Sequence, residues 1–293
     1  MLDFTGRVVI VTGAGRGIGR AYALLLGARG ASVVVNDLGG DTDGRNPSDG
    51  PASAVAAEIE AAGGTAAANA GSIADPKDVE ALVAQAIERF GRIDAVINNA
   101  GNYRLGRFED LEPEVYQSFL DVHYHGSLLL TRAAWPHLIA SGSGRVVNTV
   151  SAALTGQPDM VHYGSAKGAV YGLTRALAVA GAAHGIKVNA VAPGAGTRMM
   201  DIAAPALPPG TAEYMQEQMP PEKVAPVGAY LAHADCAITG EVLNAAGGYV
   251  SRMVMVGTPG IHDPELSPET VAARIDEITD TANAQVAELA FPS

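Results

Sequence analysis

Thr12-Gly-Ala-Gly-Arg-Gly-Ile-Gly19 follows an apolar β-branched run and leads into a helical stretch. A strand, a glycine-rich turn and a helix in this order indicate a dinucleotide-binding unit. Gly13 permits the tight turn, Gly17 lets the backbone approach a pyrophosphate, and Gly19 lets helix and strand pack closely. The alternative, in which the glycines only turn a strand into a helix, is less favoured because both flanking segments have the expected pattern.

Asp37 ends the second apolar run, a little over twenty residues after Gly13. There a carboxylate can accept hydrogen bonds from the adenosine ribose hydroxyls, and it should repel a 2′-phosphate. Arg16 in the glycine loop could instead attract that phosphate. We favour Asp37, and hence NAD as cofactor, because Arg16 can turn to solvent or to the diphosphate whereas the carboxylate directly penalises NADP.

Tyr163 and Lys167 lie four residues apart in Tyr163-Gly-Ser-Ala-Lys167. On a helix these positions share one face, so the ammonium of Lys167 can sit beside the phenol of Tyr163. A phenol has a pKa of ~10, and a neighbouring cation lowers that pKa towards values useful for proton transfer at neutral pH. Any exposed helix can carry this pair by chance, so its meaning depends on its partners.

Those partners occur in a fixed order along the chain: Asn98-Asn-Ala-Gly101, Ser151 after an apolar run, and Pro193-Gly194 after another. With the glycine loop, they make residues 1–256 resemble the short-chain dehydrogenase/reductase family. The resemblance implies that Ser151 polarises a substrate carbonyl or alcohol and that Tyr163 moves the proton. It also implies that Lys167 lowers the tyrosine pKa and holds the nicotinamide ribose.

The resemblance further implies which residues surround the cofactor. These are Gly13, Arg16, Gly17, Ile18, Gly19, Asp37, Ile73, Asn99, Ala100, Gly101, Tyr163, Lys167, Pro193, Gly194 and Thr197. The acidic residue that usually bonds the adenine amino group is replaced by Gly71 and Ser72, so we expect mainly backbone to hold the adenine. No metal is expected.

Two further departures from the family pattern concern catalysis. Many members carry an asparagine that holds a proton-relay water, where this chain has His123. A histidine can also bond water, so His123 is a candidate catalytic residue; a helix histidine bonded to a backbone carbonyl is an equal alternative. Ser151 precedes Tyr163 by twelve residues, one fewer than the family pattern, so we expect the intervening loop to differ.

Three stretches resemble the dehydrogenase portion of peroxisomal multifunctional enzymes of type 2 and its stand-alone bacterial relatives; they begin at Val35, Thr131 and Ala192. This implies a 3-hydroxyacyl-CoA of the (R) series as substrate. It also implies dehydrogenase chemistry alone, because the hydratase and sterol-carrier portions do not follow within the 293 residues. A hydroxysteroid dehydrogenase is an alternative within the family. A non-catalytic dinucleotide sensor is an alternative from another class, against which the intact serine, tyrosine and lysine count.

The composition is that of a large globular domain, since 48% of the 293 residues are hydrophobic. Alternating strand-like and helix-like segments predict a single-domain α/β fold, a Rossmann-like doubly wound parallel sheet with helices on both faces. Parallel strands are expected at Val8–Thr12, Ser32–Asn36, Thr65–Asn69, Ala95–Asn98, 145–148, 187–191 and 241–244. We assign residues 1–256 to this domain and 257–293 to a C-terminal extension whose helix is capped by Ser267.

The net charge of −12 argues against a nucleic-acid or anionic-membrane partner and leaves a small-molecule substrate. Recognition of CoA would then rest on local basic groups such as Arg104, Arg107 or Arg198. The single cysteine fits a reducing compartment. Because neither a signal peptide nor an apolar run of ~18 residues is found, we expect a soluble cytoplasmic protein.

Two surface features complete the predictions. Residues 198–221 hold four methionines and five prolines where family members have a substrate lid, which predicts a mobile apolar lid, although core packing of the methionines is an equal alternative. The helices around Tyr116 and Tyr163 are rich in alanine, glycine and leucine beyond one buried stripe. In the family such helices pair about a two-fold axis, so a homodimer or homotetramer is implied.

Overall fold

A computed structural model describes residues 1–42 and 44–291 of the chain. Eight strands form one sheet in the order β3-β2-β1-β4-β5-β6-β7-β8. They are β1 (Val8–Thr12), β2 (Ser32–Asn36), β3 (Thr65–Asn69), β4 (Ala95–Asn98), β5 (Arg145–Thr149), β6 (Lys187–Gly194), β7 (Val242–Ala246) and β8 (Tyr249–Met253). The fold is a Rossmann-like α/β fold, as predicted.

The core lies on both faces of this sheet, which explains why the central strands are largely apolar along both faces. All five residues of β1 are buried. Because side chains alternate along a strand, Val9 and Val11 enter one core while Ile10 enters the other. Three helices cover the first face: α1 (Gly17–Ala28), α2 (Gly50–Ala61) and α9 (Ala225–Ala232). Three others cover the second face: α3 (Pro76–Phe90), α5 (Gly126–Ala140) and α6 (Val161–Gly181).

The order of strands reverses at β1, which pairs in parallel with β2 on one side and β4 on the other. At such a switch point the connections leave the sheet in opposite directions, so a crevice opens beyond the carboxyl ends of the strands. The glycine loop after β1 and the segment after β4 both emerge there. The fold therefore places the predicted motifs at one edge of the sheet.

The seven predicted parallel strands are confirmed, with β6 reaching three residues further, to Gly194. One strand of this sheet was missed, as were two short strands of the C-terminal segment. The edge strand β8 is antiparallel to β7, so the sheet is not wholly parallel. The connecting turn is Gly247-Gly248, both with positive φ, of 58° and 94°. Two glycines between strands are a hairpin signal that the sequence did contain.

The helix predicted around Tyr116 is interrupted. α4 (Pro113–Leu120) and α5 are joined by a single π turn, Asp121–His125, in which the Gly126 amide donates to the Asp121 carbonyl five residues earlier. One extra residue in a turn rotates the side chains that follow it, and such turns are frequent at functional sites. His123 lies in this π turn and is buried.

The proline-rich segment 198–221 forms two short helices, α7 (Arg198–Ala203) and α8 (Thr211–Gln218). The prediction that proline limits regular structure there is thus consistent with the fold. Met219 lies next to the end of β6, because a Cβ added to Gly194 would come 3.1 Å from its Cε. The mobility of this segment stays a prediction.

The C-terminal segment returns to the domain. Ser267 caps α10 (Pro268–Ala273) by accepting a hydrogen bond from the Thr270 amide, as predicted, but the helix breaks at Arg274 before α11 (Ile275–Thr279). Strand β10 (Gln285–Val286) pairs with β9 (Val256–Gly257). Leu289 then packs on the core beside α6. The division at residue 256, between the domain and its C-terminal extension, stays a prediction.

Within residues 1–42 and 44–291, every helix is too short or too polar to traverse a bilayer.

Candidate active site

A cleft opens at the carboxyl edge of the sheet, where β1 and β4 diverge. Most of the predicted cofactor residues line it: Gly13, Arg16, Gly17, Ile18, Asp37, Ile73, Asn99, Ala100, Gly101 and Thr197. Gly71 and Ser72, which stand where the family has an acidic residue, line the same cleft. Pro193 and Gly194 lie at the carboxyl end of β6, outside this lining.

The glycine loop has the backbone that its sequence predicts. Gly13 and Gly17 have φ of 62° and 52°, a region that strongly favours glycine. A Cβ on Gly13 would come 2.7 Å from the Ala100 Cα. Gly19 does not line the cleft; a Cβ there would meet the Gly13 carbonyl oxygen at 2.1 Å. Gly19 therefore permits the close packing of α1 against the loop.

The start of α1 fits a phosphate group. In the described structure Arg16 gives no side-chain cap to this helix, and its first turn holds no acidic residue. The first N–H groups of a helix have no partner within it and carry a partial positive charge, so they bind anions well. Because this end opens on a glycine-lined cleft, the residues present fit the pyrophosphate of a dinucleotide.

Asp37 and Arg16 are both held by backbone. The Asp37 carboxylate accepts hydrogen bonds from the amides of Gly15 (2.8 Å) and Gly39 (2.7 Å). Arg16 donates through Nη1 to the Gly40 carbonyl at 2.9 Å and through Nη2 to the Gly39 carbonyl at 3.4 Å. The arginine thus bonds the loop after β2 rather than turning to solvent or to a diphosphate, the two positions that the sequence suggested.

Ser151, Tyr163 and Lys167 come together outside the residues that line the cleft. Tyr163 and Lys167 are buried on one face of α6, and Ser151, just after β5, lies near enough to the Tyr163 phenol to lower its pKa. The Lys167 ammonium nitrogen lies 5.5 Å from the centre of the Tyr163 ring and donates to the Thr149 carbonyl at 2.7 Å. The sequence predicted this grouping from two separate motifs, Tyr163-Gly-Ser-Ala-Lys167 and the Ser151 segment.

The pKa of Tyr163 is governed by burial. Burial raises it to about 12, against an opposing effect of Ser151. Burial also lowers the pKa of Lys167 to about 7. A charge inside the protein is costly for both groups, so burial is the largest influence on each pKa. The expectation that Lys167 lowers the tyrosine pKa stays a prediction.

His123 is bonded to a backbone carbonyl, which is one of the two alternatives considered from the sequence, and its relay role stays a prediction. Its Nε2 lies 3.1 Å from the Asn102 carbonyl, so Nε2 carries the proton. Its Nδ1 is then an acceptor, and this buried atom has no partner in the described structure. The ring meets the Tyr163 ring edge-on at 5.3 Å. Burial, followed by the charge of Lys167, holds the pKa of His123 well below its usual value.

Sequence reasoning missed several residues near Tyr163. The ring of Tyr103 lies edge-on to the Tyr163 ring at 5.6 Å, and His162 hydrogen-bonds the carbonyl of Arg104. The side-chain oxygens of Asn102 and Thr149 are buried without a partner in the part of the chain that the structure describes. Each of these residues lies within three positions of a predicted motif. That closeness in sequence is the signal that could have identified them.

Comparison with known proteins agrees with this geometry. A family model described as short chain dehydrogenase matches residues 7–205. This chain belongs to the short-chain dehydrogenase/reductase family. The short-chain type dehydrogenase/reductase Rv0148 of Mycobacterium tuberculosis is 43% identical to it, over 96% of each chain. The crystal structure of a short chain dehydrogenase from Mycobacterium avium has a TM-score of 0.81 and 34% identity, over 99% of each chain.

Multifunctional proteins also match this family member. Peroxisomal multifunctional enzyme type 2 of Mus musculus is 39% identical over 97% of this chain but only 38% of its own length. The structure of the full-length Drosophila melanogaster enzyme of that name has a TM-score of 0.78 and 30% identity, over 98% of this chain and 48% of the other. The chain thus spans less than half of either of these relatives.

The burial of Lys167 predicts a pH effect on stability. An unfolded lysine has a pKa of about 10.4, whereas the folded value is about 7. Between these values the unfolded state binds more protons, so the free energy of unfolding rises with pH. Relative to Lys167→Met, we expect the wild type to gain about 1 kcal/mol per pH unit between about pH 7.5 and 9.5. Urea unfolding of both proteins measures this. A difference that stays constant with pH would show that the buried ammonium remains charged.

Proposed function

We propose that the protein is an NAD-dependent oxidoreductase that interconverts a secondary alcohol and a ketone. The observation that carries the proposal is the cluster of Ser151, Tyr163 and Lys167, which His123 connects to Gly101 in the lining of a glycine-rich cleft that suits a dinucleotide. Membership of the family supports oxidoreductase chemistry. A protein that only sensed the dinucleotide would have no use for a buried proton-transfer group.

The three side chains divide the work of proton transfer. The Ser151 hydroxyl, near the phenol, would hold the substrate oxygen beside Tyr163. During oxidation Tyr163 would take the alcohol proton as its own phenolic proton passes towards neutral Lys167, and reduction would reverse both transfers. Lys167, with a pKa of about 7, can both carry and release a proton near neutral pH. Bound NAD would supply the hydride acceptor, and Lys167 would hold its nicotinamide ribose.

His123 is proposed as the next member of the proton path. With Nε2–H fixed on the Asn102 carbonyl, Nδ1 can accept a hydrogen bond from a water molecule beside Lys167. The depressed pKa keeps the ring neutral, so that acceptor persists. Gly101 makes room for this ring, because a Cβ there would come 2.4 Å from the His123 Cε1.

A 3-hydroxyacyl-CoA is the proposed substrate class. It is supported by relatives named peroxisomal hydratase-dehydrogenase-epimerase in Saccharomyces cerevisiae and 3-oxoacyl-[acyl-carrier-protein] reductase in Synechocystis, 38% and 37% identical. Apolar side chains surround Tyr163, including Leu105, Phe119 and Met160, as an acyl chain would require. Of the basic groups considered for CoA, Arg198 lines the cleft assigned to the dinucleotide and Arg107 is paired with acidic neighbours, so neither adds support for CoA.

Replacement of Tyr163 by phenylalanine tests the proposed function. This change removes the proton-transfer hydroxyl and keeps the ring, so we expect oxidation of the alcohol to fall by at least about 1000-fold. Binding of NAD, measured by calorimetry, should change by less than about threefold. Tyr103→Phe, which removes a neighbouring hydroxyl, is the matched control and should keep most activity. Substantial turnover by the Tyr163 variant would remove the basis of the assignment.

Cofactor choice is tested at Asp37. Asp37→Ala removes the ribose acceptor and the charge that repels a 2′-phosphate, so we expect kcat/KM with NAD to fall about 10- to 100-fold. The relative kcat/KM for NADP should rise. Asp41→Ala removes an equal charge from the adjoining loop and serves as control. A wild type that prefers NADP would mean that Arg16, freed from Gly39 and Gly40, governs the choice.

A homodimer or homotetramer is proposed, with α6 and the α4–α5 pair at the interface. Gly168 and Gly172 support this, because a Cβ on either would meet nothing within 4 Å in the described chain. Such exposed small residues allow two helices to approach closely. Light scattering after size exclusion should give two or four times 29.9 kDa. A fully active monomer would contradict the proposal.

The cytoplasm is the proposed compartment. The thiol of Cys236, which is buried and free of any disulfide, supports this proposal.

A further inference from the structure

His162 precedes Tyr163 on α6 and uses its side chain differently. Its ring is 1% exposed, and Nε2 lies 2.9 Å from the Arg104 carbonyl oxygen. Because that oxygen can only accept, Nε2 carries the proton. The ring meets Phe119 edge-on at 4.5 Å, so the packing of α4 fixes its orientation. The one N–H of this buried histidine therefore donates to a backbone carbonyl on another segment.

That carbonyl belongs to the loop after β4, residues 102–110, here termed the β4 loop. Four further hydrogen bonds hold it: His123 Nε2 to Asn102 carbonyl (3.1 Å), Tyr103 amide to Thr42 carbonyl (2.9 Å), Gly106 amide to Asp159 carbonyl (3.0 Å), and Tyr116 hydroxyl to Phe108 carbonyl (2.9 Å). The Tyr116 bond is exposed to solvent, whereas the donor side chains of the His162 and His123 bonds are almost fully buried. Water competes least for a buried donor, so these two bonds constrain the loop, His123 at its first residue and His162 at Arg104.

The β4 loop forms one wall beside the catalytic phenol. The Tyr103 ring lies edge-on against the Tyr163 ring at 5.6 Å, and Leu105 packs in the same apolar cluster. The side chain of Arg104 itself is exposed, so only its backbone is tied inward. A shift of this backbone would move the Tyr103 wall relative to Tyr163 without touching Ser151 or Lys167.

We propose that His162 is a positioning residue for the substrate: by donating to the Arg104 carbonyl it fixes the β4 loop, and hence the apolar wall that orients the substrate's side chain. The inference rests on the proposed function, because it assumes that substrate binds beside Tyr163. Burial lowers the pKa of His162, so its neutral form keeps a single N–H, which is the one used here.

Kinetics of two replacements test this role. His162→Phe keeps the ring and its packing on Phe119 but cannot donate, so we expect KM for the alcohol to rise about tenfold, with kcat and the Kd for NAD within about twofold. His162→Gln can place an amide donor near the former Nε2 and should restore KM. His184→Gln, at an exposed histidine, is the control. An unchanged KM in His162→Phe, or a fall in kcat alone, would overturn the proposal.

A second measurement does not depend on turnover. The β4 loop contains Arg104 and Arg107, so native-state trypsin digestion followed by mass spectrometry reports its release. We expect cleavage there to be several times faster in His162→Phe than in the wild type, with His162→Gln close to the wild type. If His162→Phe does not fold, His162→Asn, whose amide is one methylene shorter, takes its place. Equal rates in all folded variants would refute the inference even if the wild type oxidises alcohols. Conversely, an inactive wild type with fast cleavage in the variant would refute the proposed function and the role in substrate positioning, while showing that His162 holds the loop.

Discussion

A buried pair of asparagines joins the strands and helices that carry the active site. Asn98, at the end of β4, donates to Thr131 on α5 at 3.0 Å and to Asn148 on β5 at 2.9 Å. Asn148 in turn donates to Thr174 on α6 at 3.0 Å. Leaving any of these buried groups unpaired would cost about 1–3 kcal/mol, so the network favours one arrangement of two strands and two helices. The π turn leads into one of those helices, and Tyr163 and Lys167 belong to the other.

This hydrogen-bonded frame makes possible a site that lowers the folding stability. Burial disfavours the charge of Lys167, and a hydrogen bond to the Thr149 carbonyl holds its ammonium group in place. Tyr163 is similarly buried, so its phenol resists ionisation. Groups whose pKa values are moved in opposite directions by burial cluster at functional sites far more often than in ordinary cores. Burial of these two residues by itself lowers the stability of the folded protein, and the rest of the fold compensates for that loss.

Much of the fold could be predicted because its signals are local. Short apolar runs predicted seven strands. The glycine loop predicted the cleft, because backbone geometry fixes where its glycines lie between strand and helix. The antiparallel β8 was missed although Gly247-Gly248 marked its hairpin. The π turn at His123 could not be predicted, because it depends on how α5 packs rather than on local preference.

The site was predicted less completely, and the reason is electrostatic. Grouping of Ser151, Tyr163 and Lys167 followed from motif order, but the pKa of each depends on how much of it the folded chain covers. The bond from Arg16 to the loop after β2 likewise joins segments that only the tertiary structure brings together. Spacing in a sequence shows which groups can meet; it does not show how much water remains around them.

The proposed reaction, a hydride transfer between NAD and a secondary alcohol, can be followed by the absorbance of the reduced nicotinamide. Purified protein is mixed with NAD and a panel of alcohols that includes 3-hydroxyacyl-CoA thioesters. We expect reduced cofactor to form in equal amount to the ketone product, fastest with the 3-hydroxyacyl-CoA members. Tight binding of NAD without reduction by any alcohol, and without oxidation of the reduced cofactor by any ketone, would contradict the proposal and favour a dinucleotide sensor.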